Sequence, residues 1–143
     1  MSTAITISQG PCDVANTPPP PGAGGQAIFV GRTRAETHPE HGSLAALDYD
    51  MHEPLVVSVL HDLAQEAIDQ GALAVTIAHA KGAVPVGEAS VCIEVHAGHR
   101  SEAFAACRML IDALKARAPI CKREMWAHGT TWKDGTPPPM AST

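Results

Sequence analysis

Basic residues cluster near the C-terminal end of the chain, around one proline. The stretch ALKARAPICKREMW (113–126) holds four of the ten Lys and Arg residues, although the whole chain has a formal net charge of -5. Lys115 lies where a predicted helix ends, and Lys122 lies in the strand predicted after the turn at Pro119. A helix-turn-strand unit can bring these two amines together, which favours a small anionic ligand or the carboxylate end of a partner. Alternatively, Lys115 and Arg117 only interact with the negative end of the helix dipole.

A second candidate site lies at the start of the same helix. The stretch HAGHR (96–100) places His99 and Arg100 at a strand-to-helix junction, where exposed backbone N–H groups suit an anion. The rise of an α-helix puts this junction roughly 20 Å from Lys115. A compact ligand cannot touch both ends of the helix within one subunit. The spacing therefore predicts either an elongated site or a second subunit that contributes one half.

Two weaker candidates have plain structural alternatives. Arg32 and Arg34 stand at alternate positions in GRTR (31–34), so they point to one side if the strand continues, or they form a solvated strand end. Cys121 precedes Lys122, which could lower the pKa of a reactive thiol. A buried strand cysteine is the interpretation that we favour.

Neither the histidine nor the cysteine spacing indicates a metal site. His79, His96 and His99 lack the spacing of a zinc site, and we predict no metal and no cofactor. The four cysteines are widely spaced, with no CxxC pair, and we expect free thiols in a reducing compartment. No apolar run approaches the ~18 residues of a membrane span, and the N-terminal residues do not resemble a secretory signal, so we expect a cytoplasmic protein without a membrane partner.

The uneven charge distribution argues against nucleic acid as a partner. From Arg100 to Arg123 there are six basic and two acidic residues, whereas the rest of the chain has four basic and thirteen acidic residues. Nucleic acid requires a broad basic face, which a basic island on an acidic body does not provide.

Hydrophobic periodicity predicts an α+β domain with a mixed or antiparallel sheet and two main helices packed on it. The predicted order is β-β-α-β-β-α-β, with strands over 26–32, 44–50, 73–79, 89–97 and 120–126, and helices over 54–70 and 101–115. Residues 1–25 are predicted to be an N-terminal segment with a Pro/Gly-rich linker, 26–126 the domain, and 127–143 a C-terminal tail.

Two stretches of the chain carry a family resemblance. GGQAIFVGRTR and VGEASVCIEVHAGHRSEAFAACRMLIDALKARAPICKRE resemble the catalytic, large subunit of molybdopterin synthase. The resemblance covers roughly residues 24–126. It implies an α/β-hammerhead fold and a homodimer of large subunits within a heterotetramer. It also implies a small ubiquitin-like carrier subunit bound at each end of the dimer.

The resemblance implies an enzymatic activity. The Gly-Gly C-terminus of the carrier, as a thiocarboxylate, donates sulfur twice to cyclic pyranopterin monophosphate, which yields the dithiolene of molybdopterin. By the resemblance, Lys115 and Lys122 are catalytic residues. The residues implied to bind substrate are Arg32, Thr33, Arg34, His99, Arg100, Lys115, Lys122, Arg123 and Glu124.

The chain departs from the family pattern at two internal positions. The family usually has His-Arg where this chain has His79-Ala80, and Trp where this chain has Cys121. Both lysines are kept, so these departures affect partner docking more than chemistry. The alternatives are a non-catalytic relative that binds the carrier protein or a pterin, and an unrelated domain that binds small anions.

Overall fold

The computed structural model describes residues 1–133, which form a mixed eight-stranded sheet with two helices packed on it. In chain order the elements are β1 Ser2–Gln9, β2 Gly25–Arg32, β3 Thr37–His38, β4 Gly42–Met51, α1 Glu53–Asp69, β5 Ala72–Pro85, β6 Ala89–Ala97, α2 Arg100–Arg117, β7 Ile120–Trp126 and β8 Gly129–Trp132. The predicted α+β class, with its mixed sheet and two helices, is confirmed. No helix among the described residues is both long and apolar enough to cross a membrane.

Strand β5 joins the two halves of the sheet. The strand order is β2-β6-β5-β4-β7-β8, and β1 also pairs with β5, in parallel. Up to Lys81, β5 pairs with β1 and β6, and from Gly82 onward it pairs with β4. Gly82 has φ +89°, and a Cβ there would lie 2.6 Å from the Nε2 atom of Gln9. Glycine therefore suits the position where β5 changes partners.

The two helices pack on one face of β5 and β6 and form the main core with them. Pro54 lies in the first turn of α1, and Gly71 follows its end with φ +113°, which agrees with the helix predicted over 54–70. Helix α2 begins at Arg100, one residue earlier than predicted, with His99 as its N-cap, and its Phe104 side chain is 68% exposed.

The opposite face of β6 is covered by residues 10–24, which we call the N-terminal strap. Four residues of β6 point to this face and are buried, namely Ser90, Cys92, Glu94 and His96. Within the strap, Cys12 N–H donates to the Ala89 carbonyl, and Gly24 N–H donates to the Ala97 carbonyl.

A buried carboxylate attaches the strap to the sheet. The Glu94 side chain accepts hydrogen bonds from Thr17 N (2.8 Å), Thr17 Oγ1 (2.7 Å) and Gln26 Nε2 (2.7 Å), and His96 Nε2 lies 3.6 Å away. Burial raises the pKa of Glu94, but the hydrogen bonds and His96 outweigh it, so this pKa lies below its usual value. The ionised carboxylate is thus the form that stabilises the folded chain.

Both ends of the described chain belong to the sheet, although the sequence assigned them to segments outside the domain. β1 pairs with β5 over eight residues, and β8 pairs with β7 from Gly129 to Trp132. Composition did not reveal either pairing, because a parallel partner lies far along the chain and a four-residue strand has little periodicity. The rest of the predicted C-terminal tail, residues 134–143, lies outside the described residues.

We predict that Thr17→Val lowers the free energy of unfolding by about 1–3 kcal/mol at pH 7, because it removes a hydroxyl donor from a buried carboxylate. The lowered pKa of Glu94 means that its contribution is present above the pKa of the unfolded state and is lost as pH falls through the folded-state pKa. Urea denaturation at a series of pH values should show that the difference in free energy of unfolding between wild type and variant becomes smaller at acid pH.

The matched control is Thr3→Val, because Thr3 is an exposed strand residue on β1. It should leave the free energy of unfolding within about 0.5 kcal/mol of the wild-type value. Equal effects of the two substitutions, or a Thr17→Val deficit independent of pH, would contradict the role of Glu94.

Candidate active site

A cavity of about 500 Å³ lies where the C-terminal end of α2 faces the strands. Five strands and α2 contribute to its wall, and the wall is part apolar and part polar. Its basic residues are Arg32, Lys115, Lys122 and Lys133. The cavity is therefore large enough for a small organic ligand and carries an excess of positive charge.

The reversal at Pro119 brings Lys115 and Lys122 to the same cavity, as the sequence predicted. Helix α2 ends at Arg117, and β7 begins at Ile120, so the connection is only two residues long. Lys115 is exposed at the helix end, and Lys122 is half-buried in β7. Arg117 instead forms an ion pair with Glu66 of α1 at 2.8 Å, so it belongs to helix packing and not to the cavity.

His79 was missed by the sequence analysis as a member of the site. Its ring is buried in the cavity wall, in edge contact with Tyr49 at 5.2 Å between ring centroids. Burial, with the nearby charge of Lys122, lowers the pKa of His79 despite a hydrogen bond from Nδ1 to the Ala80 carbonyl at 2.8 Å. A carbonyl only accepts, so Nδ1 carries the hydrogen, and the neutral ring keeps Nε2 as an acceptor.

The two departures from the family pattern have a local explanation. Ala80 is fully buried in a small apolar cluster with Tyr49 and Val84, where a long charged side chain would not be accommodated. Cys121 borders the cavity but is itself buried. Burial and the neighbouring Asp50 raise the pKa of its thiol, which supports the interpretation of a buried strand cysteine.

Of the residues Arg32, Thr33 and Arg34, only Arg32 lines the cavity. β2 ends at Arg32, with an irregularity between Gly31 and Arg32, so Arg34 lies beyond the strand, which agrees with the alternative of a solvated strand end. Arg32 Nη1 donates to the Gly87 carbonyl at 3.0 Å. Thr33 is buried and donates to the Val84 carbonyl at 3.0 Å, which makes it a structural residue, and Arg34 is exposed.

His99 and Arg100 lie at the other end of α2, as the sequence predicted, and do not line the cavity. Both residues are exposed, and His99 Nδ1 lies 3.4 Å from Glu102. Fifteen residues separate Arg100 from Lys115, which corresponds to roughly 22 Å along the helix. Within one subunit, the structure does not bring the two candidate sites together.

Arg123 and Glu124 follow Lys122 in β7, but neither lines the main cavity. Arg123 pairs with Asp48 at 2.8 Å and borders a second pocket of about 280 Å³. Glu124 accepts a hydrogen bond from Thr131 Oγ1 at 2.8 Å and lies 3.7 Å from Lys133. Among residues 1–133 no group of three or more His, Cys, Asp or Glu side chains could hold a metal ion.

Curated relatives with similar sequences are catalytic subunits of molybdopterin synthase. The subunit of Arabidopsis thaliana is 37% identical over 117 residues, which are 81% of this chain and 58% of the relative. The subunit of Caulobacter vibrioides is 38% identical over 114 residues, 79% of this chain and 73% of the relative. The chain thus spans little more than half the length of the Arabidopsis protein.

Solved structures of the same class share the fold. Molybdopterin synthase from Staphylococcus aureus has a TM-score of 0.78 at 24% identity, over 90% of this chain and 95% of that one. A complex of subunits 1 and 2 of molybdopterin-converting factor from Helicobacter pylori has a TM-score of 0.75 at 21% identity, over 94% and 93%. The family model described as MoaE protein matches residues 5–117, and this chain therefore belongs to the MoaE protein family.

Proposed function

We propose that this chain is the catalytic subunit of a molybdopterin synthase that acts in the cytoplasm. In this reaction a small ubiquitin-like carrier protein, with a thiocarboxylate at its Gly-Gly C-terminus, donates sulfur to cyclic pyranopterin monophosphate. Two transfers give the dithiolene of molybdopterin. The observation that carries the proposal is the convergence of Lys115 and Lys122 on one cavity in a chain of the MoaE family.

The charge and size of the cavity support this pair of substrates. A phosphate-bearing pterin and a thiocarboxylate are both anionic, and the lysines concentrate positive charge at the cavity of a chain whose formal net charge is -5. A volume of about 500 Å³ accommodates a bicyclic or tricyclic ligand. The neutral His79 adds an acceptor for a ring N–H or a hydroxyl.

The lysines serve as cations in the proposed reaction. The thiocarboxylate sulfur bonds to a carbon of the pterin in place of an oxygen substituent, which forms a thioester between carrier and pterin. Water then attacks the thioester carbonyl, and the anionic tetrahedral centre collapses to a carboxylate on the carrier and a thiolate on the pterin. An ammonium group beside that centre stabilises the transition state, and it can also donate a proton to the leaving group. The position of Lys115 at the helix end supports this role, since the negative end of the dipole favours a cation.

A second subunit is proposed to complete the site. Arg100 is too distant from Lys115 to bind the same compact ligand within one chain. The surface beside it suits a second copy, since Phe104 lies one helical turn away and, with Ile28 and Phe29, forms an exposed apolar groove between α2 and the edge strand β2. We propose that a homodimer lends His99 and Arg100 to the lysines of the partner.

The reaction assay gives the first test. Purified chain, thiocarboxylated carrier and cyclic pyranopterin monophosphate should form molybdopterin, and Lys115→Ala should lower the rate by about 10²–10³-fold, since it removes a charge near the reacting centre. Lys115 is exposed, so the free energy of unfolding should change by less than about 0.5 kcal/mol.

Lys81→Ala is the control for loss of a cation, because Lys81 borders the second pocket and lines neither the cavity nor the apolar groove. It should keep near wild-type turnover. Turnover of Lys115→Ala at the wild-type rate would contradict the catalytic role. Tight binding of both substrates by the wild type with no turnover would instead favour the non-catalytic relative.

The second test concerns the shared site. Arg100→Ala and Lys115→Ala chains are each expected to be inactive, but mixing them should restore activity. In a mixed dimer one site carries both substitutions and the other carries neither, so about half the sites of mixed dimers should work.

Mixing Lys115→Ala with Lys122→Ala chains is the matched control. Both lysines line the same cavity of one chain, so every site in a mixed dimer keeps one lesion and no activity should return. Subunit exchange is verified with differently tagged chains. If exchange occurs and the Arg100→Ala mixture stays inactive, the two ends of α2 do not form one shared site.

A further inference from the structure

A third lysine borders the cavity from a part of the chain to which the sequence analysis gave no role. Lys133 follows β8 and lines the same cavity as Lys115 and Lys122. It reaches this position because β8 folds back antiparallel to β7, with Trp126 paired to Gly129 and Arg123 paired to Trp132. The end of the β7–β8 hairpin thus lies beside the strand that carries Lys122.

A chain of contacts fixes the position of Lys133. Trp126 Nε1 donates to Thr131 Oγ1 at 2.8 Å, and Thr131 Oγ1 donates to Glu124 Oε1 at 2.8 Å. The other oxygen of Glu124 lies 3.7 Å from Lys133 Nζ. The Glu124 side chain is only 13% exposed, so its carboxylate holds one orientation and keeps the ammonium group nearby.

The distance of this ion pair is informative. A short N–H···O hydrogen bond spans about 2.7–3.2 Å, so at 3.7 Å the pair attracts Lys133 without engaging its donors closely. An ammonium group has three N–H donors. Lys133 is therefore positioned by Glu124 while it keeps the capacity to donate to another acceptor in the cavity.

We propose that Lys133 binds the anionic oxygen atoms of the ligand directly, as the third lysine of the cavity, and that Glu124 is its positioning residue. The chemistry recognised is a phosphate or a carboxylate. Two sources fit, namely the phosphate of the pterin and the C-terminal carboxyl group of the carrier. The identity of these sources rests on the proposed function, whereas anion binding by Lys133 does not.

Inorganic phosphate is the first probe, titrated into the full chain and followed by calorimetry at low salt. Lys133→Ala should weaken phosphate binding roughly tenfold, as expected for loss of a charge-assisted contact, and should reduce its salt dependence. Lys133→Arg should restore most of the affinity. Lys81→Ala removes the same charge from the second pocket, away from the cavity, and should bind phosphate like the wild type.

Absence of phosphate binding by the wild type, or equal binding by Lys133→Ala, would overturn the proposal. Thermal unfolding of each variant ensures that a loss of affinity is not a loss of folding. A double-mutant cycle tests Glu124. Glu124→Gln should change phosphate affinity in the wild type and much less in the Lys133→Ala background. Equal effects in both backgrounds would remove Glu124 from the proposal.

Two further titrations identify the source of the anion. If Lys133→Ala weakens binding of cyclic pyranopterin monophosphate but not of a peptide with a Gly-Gly carboxyl terminus, Lys133 binds the phosphate. The reverse result means that Lys133 binds the carboxyl group of the carrier. If Lys133→Ala binds both ligands as tightly as the wild type, Lys133 does not contact substrate directly. If the wild type transfers no sulfur but phosphate binding still requires Lys133, the proposed function fails and this inference stands.

Discussion

The arrangement of the site depends on the passage of β5 through both halves of the sheet. Its first part holds β1 and β6, and its last residues hold β4. β6 in turn carries β2, while β4 carries β7, which pairs with β8. Every strand that borders the cavity is therefore positioned by β5 directly or through its neighbours. Gly82 allows this passage, because its positive φ is a backbone conformation that other residues rarely adopt.

The second constraint is electrostatic. The lysines of the cavity repel one another, and the fold offsets this repulsion in two ways. Glu124 faces Lys133, and His79 remains neutral because burial and Lys122 both lower its pKa. The cavity thus keeps a positive charge that a ligand can neutralise, without the additional cost of a buried imidazolium. This positive charge attracts anions, which agrees with the two substrates proposed.

The sequence predicted those features that depend on residues close together along the chain. Helices α1 and α2 and the strand over 89–97 follow from periodicity, and the meeting of Lys115 and Lys122 follows from a two-residue connection. Contacts between distant segments could not be predicted in this way. β1 pairs in parallel with a strand about 70 residues away, the N-terminal strap covers Glu94, and Lys133 reaches the cavity through a short hairpin. His79 was overlooked because a buried histidine in an apolar strand usually serves packing.

The cysteines add a final argument about the source of sulfur. All four are buried, and burial raises the pKa of Cys12, Cys107 and Cys121 above the usual value of a thiol. A thiol attacks or carries sulfur as its thiolate, so burial disfavours that role even for Cys121, which borders the cavity. The chain supplies cations, a neutral imidazole and space, but no activated thiol among these three. For the proposed reaction, sulfur must therefore arrive already activated on a ligand, as a thiocarboxylate does, and the lysines act on the charge that its transfer creates.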